Sequence, residues 1–272
     1  VTLARDAATF VPAPKRDFGD LSGSAMVVLQ IALAFAILLA WQGAAGRIVP
    51  VFLISNPVEI AHKLASWVAD GSIFVHLWVT LYETVLGFLL GSAVGILLGI
   101  ALGLSRFLSR LLNPFLLVFN ALPKPALAPL FVLWFGLGAS SKIVLAAAIV
   151  FFIVFFNTYT GVRETDPDLI DTVRLLGGNR RQVLFRAIIP SSATWIFAGL
   201  QIAVPYALIG AIIAELIAAK AGLGYLIQVA GAQFDTPGVF AALVVIGLLA
   251  LVLNLLVSAL QHRVERWKVT SS

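Results

Sequence analysis

The chain of 272 residues contains no cysteine, one methionine and three histidines, and only 11% of its residues are charged. Without cysteine it cannot form a disulfide, a zinc–thiolate site, an iron–sulfur cluster or a thiol nucleophile. His62, His76 and His262 stand far apart and make no metal-site spacing. There is no Gly-x-x-x-x-Gly-Lys-[Ser/Thr] phosphate loop, and no lysine follows a glycine, so the chain offers no ATP site of that kind. What it has in excess is apolar side chains: 61% hydrophobic residues and a mean hydropathy of +1.03. A soluble domain of this size could not cover such a core with so few polar groups. Disorder and an ordinary globular enzyme are thereby excluded, and a polytopic membrane protein is expected.

A hydrocarbon core of about 30 Å needs roughly 20 apolar helical residues. Six stretches qualify: 21–46, 84–105, 111–141 (interrupted only by Lys124), 143–162, 187–214 and 236–261. They are apolar throughout rather than alternating, so they read as helices and the fold class as all-α with six transmembrane helices. The first run is longer than the apolar region of a signal peptide, and five more follow, so it reads as a span. Six spans put both termini on one side. The segments on that side, 1–24, 105–112, 161–190 and 262–272, hold 13 of the 18 Lys and Arg residues. The opposite segments, 45–75, 138–142 and 218–236, hold four, and Lys124 is the remaining one. The positive-inside rule then places both termini and the 161–190 loop in the cytoplasm. The net charge of +5 is largely this bias. The arginines form no basic patch, so nucleic acid is not an expected partner.

Within the spans, Gly87, Gly91, Gly95, Gly99 and Gly103 recur every four residues. Small side chains at that spacing let a neighbouring backbone approach closely, which predicts a helix-packing seam. Residues 113–130 carry Pro114, Pro123, Pro125 and Pro129. Each proline removes a donor and disfavours helix at the residue before it, so the run is expected to break around Lys124. Broken backbone at membrane depth is tolerated inside protein or beside a water-filled cavity. Lys124 is therefore expected to face the translocation path, where it would favour an anion, or to pair or snorkel. Glu83 and Glu215 lie near span ends, so each reads either as a functional intramembrane acid or as an interfacial one. Lys124, Asn157 and Glu215 are the candidate path residues. Pro205 predicts a kink with a packing role.

The 161–190 loop is long and well patterned. Asp166 can cap a helix with Pro167 at its first position and Asp168 in its first turn. Leu169, Ile170, Val173 and Leu176 fall on one face, and Gly177-Gly178 stop the helix. Asn179 and Gln182 then make a capping-box variant for a second helix, with Pro190 ending it before the next span. Such a short amphipathic helix would either lie on the membrane or dock a cytoplasmic partner.

This loop resembles the signature of binding-protein-dependent ABC importer permeases. That pattern runs Glu-Ala-Ala, three residues, Gly, nine residues, Ile, one residue, Leu-Pro. Asp171, Gly177 and Pro190 keep its spacing; Thr172-Val173, Ala187 and Ile189 depart from it. The resemblance extends over about residues 76–267 and includes LPKPALAPLFVLWFGLG at 122–138 and AELIAAKAGLGYLI at 214–227. Those segments are similar to the nitrate/sulfonate/taurine-type branch, which includes permeases for vitamin precursors. The resemblance implies a five-helix core at 76–262, preceded by a first span at 25–46 and flanked by cytoplasmic tails at 1–24 and 263–272. It implies a coupling loop at 163–190, with Asp166, Asp168, Leu169, Asp171, Arg174, Gly177, Arg180 and Pro190 facing a cytoplasmic ATPase. Two permease copies would pair with two ATPase subunits and an extracytoplasmic solute-binding protein in the bacterial inner membrane. ATP and Mg would bind in the partner, with no cofactor in this chain. The rivals are a membrane enzyme, which lacks a nucleophile–base constellation here, and a gradient-driven transporter or channel, which usually carries several mid-span ionisable groups or paired broken helices.

Overall fold

A computed structural model describes residues 23–264. The tails expected at 1–24 and 263–272 thus lie outside the described residues, apart from the few that join the first and last helices. Among the described residues all regular structure is helical. Five helices are long and apolar enough to cross a membrane: α1 (Gly23–Ala44), α4 (Ser72–Leu104), α7 (Ala139–Arg163), α10 (Ile189–Ala218) and α12 (Thr236–Val264). A sixth crossing is broken. α5 (Arg106–Ala121) ends before Pro123, a 3-10 turn covers Lys124–Leu127, and α6 (Ala128–Phe135) continues at 83° to α5. The break falls where the prolines flank Lys124, because two consecutive turns there lack backbone donors.

The bundle is organised around α7. Its Ala146 is fully buried between Gly87 of α4 and Gly210 of α10. A Cβ on Gly87 would sit 2.5 Å from the Ala146 methyl, and one on Gly91 would sit 2.5 Å from the Ala147 carbonyl. At Gly95, Gly99 and Gly103 it would meet the Phe151 carbonyl, Thr158 and Val162. All five glycines are buried against α7, so the helices meet along most of α4. On its other side α7 packs Val150 and Val154 against Ala203 and Ala207 of α10. α1 lies outside this core, with its apolar side chains exposed.

Several features depart from the expectation. The 45–75 segment contains two helices, α2 (Val51–Ile54) and α3 (Pro57–Ala69). Asn56 caps α3 by accepting from the Glu59 N–H at 2.9 Å, with Pro57 at the first position. The 218–236 segment contains α11 (Leu223–Ala232), which is apolar but too short to span. Lys142 was expected in a loop between spans; it lies in the first turns of α7 and is 3% exposed. Lys124, expected to face the path, pair or snorkel, is half-exposed. Pro190 does not end a helix. α9 (Arg180–Val183) runs through a π turn at Leu184–Ile188 into α10, giving 39 helical residues from Arg180 to Ala218. The Ile189 N–H bonds back five residues to Leu184, and this wider turn accommodates a proline whose ring would otherwise strike the carbonyl four residues before it.

Candidate functional site

The residues of the 161–190 loop build a capped knuckle at one end of the bundle. Asp166 accepts from the Asp168 N–H at 2.8 Å and starts α8 (Pro167–Leu175). The helix stops in a Schellman arrangement: the Gly178 N–H donates to the Val173 carbonyl and the Gly177 N–H to Arg174, both at 2.9 Å. Gly177 sits at φ +81°, where an L side chain is strained. Asn179 and Gln182 cap the next helix reciprocally, at 2.8 and 2.9 Å.

The apolar stripe of α8 divides in two. Ile170 and Val173 turn inward onto Val162, Val183 and Ile188, which fastens the knuckle to α7 and α10. Leu169, Leu175 and Leu176 face outward, and Leu175 and Leu176 are 88% and 83% exposed. Leu176 was expected on the inward stripe; it falls on the turn that ends the helix and so leaves that face. Asp168, Asp171, Arg174 and Arg180 surround the apolar tip in exposed positions, with Arg174 bonded to Asp171 at 3.1 Å. Pro190 is half-buried behind the knuckle, in the first turn of α10.

A second region forms at the bend. The Lys124 ammonium donates to the carbonyl and the side-chain oxygen of Asn120, the latter at 3.1 Å, and lies 4.5 Å above the Phe152 ring. It borders a cavity of about 430 Å³ walled by Phe152, Tyr206, Ile149, Ile153, Ile202 and Ile209. The site is an apolar, partly aromatic pocket with one cationic edge. Asn157 lies elsewhere on α7: it donates to the Ile153 carbonyl at 2.8 Å and packs on Gly199.

The third region was only partly legible. Glu83 and Glu215 are 2% and 0% exposed, inside the bundle and not at an interface. The Lys142 ammonium lies within Coulombic reach of both carboxyls and donates to the carbonyls of Leu137 and Gly138 at 2.6 and 3.0 Å. Glu215 accepts from the Thr80 hydroxyl at 2.7 Å and from the Gly224 N–H at 2.6 Å. Sequence reasoning missed Thr80 and Gly224 as its hydrogen-bond partners, and Lys142, His76 and Gly222 around them. The signal available was the Ala-Gly-Leu-Gly run a few residues after the acid.

Comparison with known proteins agrees with this architecture. The chain is 32% identical over 241 residues to the formylaminopyrimidine transport permease protein ThiX of Halalkalibacterium halodurans, covering 88% of this chain and 96% of that one. It is 35% identical over 221 residues to the riboflavin transport system permease protein RibX of Chloroflexus aurantiacus, covering 81% and 82%. It is 31% identical over 237 residues to a putative aliphatic sulfonates transport permease protein, SsuC, of Bacillus subtilis, covering 87% and 86%. The fold superposes on a chain of the inward-facing MetNI methionine ABC transporter with a TM-score of 0.63 at 17% identity, covering 71% of this chain and 95% of that one. Residues 91–269 match one family throughout, and the chain belongs to it: the binding-protein-dependent transport system inner membrane components, the permease subunits of ABC importers.

Proposed function

We propose that this permease moves a small polar solute with an anionic group and an apolar or flat body inward across the bacterial inner membrane, driven by ATP hydrolysed on a partner subunit. The α8 knuckle is the observation that carries the reading. An apolar tip ringed by charge, held rigidly by Ile170 and Val173 and continuous with α10, is built to dock a cytoplasmic protein. Two copies of the chain would pair with two ATPase subunits holding ATP and Mg, and a solute-binding protein would deliver cargo from outside. Both termini and the knuckle would be cytoplasmic, and the 219–235 end of the bundle extracytoplasmic. Closure of the ATPases would draw the two α8 knuckles together, and rocking of the spans would switch access to the Lys124 pocket.

The test is Gly177→Trp in the purified complex with its ATPase. A bulky residue at φ +81° distorts the knuckle without touching the spans. The expected variant inserts and co-purifies, while binding-protein-stimulated ATP hydrolysis and uptake fall at least tenfold. Stimulation and uptake at the parent level would remove the coupling assignment. Mass spectrometry of the ligand carried by the cognate binding protein would identify the cargo.

A further inference from the structure

Three consecutive backbone N–H groups open α11, and none has a backbone partner within the helix, as at any helix start. Each is satisfied by a side chain from another helix. The Gly222 N–H donates to His76 Nδ1 at 3.0 Å, the Leu223 N–H to Thr80 Oγ1 at 2.8 Å, and the Gly224 N–H to Glu215 Oε2 at 2.6 Å. His76 and Thr80 lie one turn apart on α4, and the Thr80 hydroxyl in turn donates to Glu215 Oε1 at 2.7 Å. The His76 ring also stacks on Tyr225, with centroids 5.7 Å apart. The two glycines make this closeness possible. Gly222 has φ +121°, and a Cβ there would strike the Glu215 carboxyl; a Cβ on Gly224 would sit 2.7 Å from the Ile212 carbonyl. The start of α11 is thus clamped between α4 and the last turn of α10, with the Thr80 and Glu215 bonds buried and the His76 bond part-buried at the edge.

The same α10 carries the knuckle at its other end. From Arg180 to Ala218 the helical stretch is unbroken, which at 1.5 Å per residue is about 58 Å. α10 therefore cannot rock against α4 without carrying α11 along or pulling its first turn off its caps. We infer that Glu215 is a positioning residue for transport: through the Glu215–Thr80 clamp, movement of the knuckle is passed along α10 to α11 and opens or closes the opposite face of the bundle. This inference rests on the proposed reading of 163–190 as the coupling loop.

The chain has no native cysteine, so Ala221→Cys gives a single reporter beside the clamp. The complex with its ATPase is reconstituted and labelled with a membrane-impermeant maleimide, with and without ATP–Mg–vanadate trapping. In the reporter background the labelling rate is expected to change at least fivefold on trapping. Glu215→Gln and Thr80→Val are expected to label rapidly in both states, within twofold of each other, whereas Thr80→Ser, which keeps the hydroxyl, restores the switch. A purely structural role would lower expression of Thr80→Val but leave the switch in the assembled fraction. No change on trapping in the reporter background, or a normal switch in both Glu215→Gln and Thr80→Val, overturns the inference. If Glu215→Gln does not assemble, the Thr80 pair decides it. Gly177→Trp separates the two readings: it should hold Ala221→Cys at the resting rate in both states, and a normal switch there would sink the coupling-loop reading instead.

Discussion

An ammonium in an apolar bundle must find oxygen or π partners, and the two lysines at the centre of this chain do so differently. Lys124 bonds to Asn120 and rests on Phe152 at the edge of the pocket, half-exposed. We expect Lys124→Cys in this cysteine-free chain to react with water-soluble thiol reagents; complete protection in every trapped state would show that the pocket is not on the solute path. Lys142 is buried and donates to the carbonyls of Leu137 and Gly138. Lys142→Met should leave the Leu137 and Gly138 carbonyls without their donor and cost about 1–3 kcal/mol, the range for an unsatisfied buried polar group. Thermal unfolding of the solubilised complex measures this, and an unchanged midpoint would contradict it. The sequence singled out Lys124 because prolines flank it. It gave no reason to pick Lys142, which follows two serines at the start of a run and looks like any loop lysine.

At the scale of elements, the contact of α4 with α7 depends on having no side chain at five positions. Gly91→Val should overpack it by about 1–3 kcal/mol or more, because the obstacle is backbone, the Ala147 carbonyl, and not a flexible side-chain end. Gly247→Ala on α12, where nothing lies within 4 Å, is the control and should be neutral. Differential scanning of the two variants distinguishes a packed seam from an incidental repeat. The loop helix α8 was legible to the residue, since its caps are local: Asp166, Gly177 and Asn179 act on neighbours within three or four positions. Its packing was not. Spacing put Leu176 with Ile170 and Val173, but the Schellman turn rotates it outward, and only the neighbouring ends of α7 and α10 decide which leucines are buried.

For the whole molecule, the charge bias and the bundle make one joint prediction about sidedness. Cysteine placed at Leu175 should be labelled by impermeant reagents only in inverted vesicles, and cysteine at Phe234, 86% exposed at the opposite end, only in intact cells. The reverse pattern, or labelling of both from one side, would refute the proposed orientation. The end of the bundle that carries Phe234 is also tied together in three dimensions: Lys63 of α3 pairs with Asp235 at 2.5 Å, and the Thr236 hydroxyl bonds to the Phe52 carbonyl. α2 and α3 are therefore fastened to the start of α12 at that end of the bundle.

The sequence by itself determined the helical membrane class, the crossings, the proline break and the capped loop helix α8. Each of these follows from local composition: run length against bilayer thickness, missing backbone donors, or caps acting within one turn. The tertiary structure alone decided what the buried polar groups do. Glu215 and Thr80 are 135 residues apart, and Thr80 and Leu223 are 143 apart. No periodicity or spacing encodes contacts of that range. They exist because α4, α10 and α11 pack closely enough to bury the Glu215 carboxyl, the Thr80 hydroxyl and the orphan N–H groups that open α11, which favours their pairing across helices.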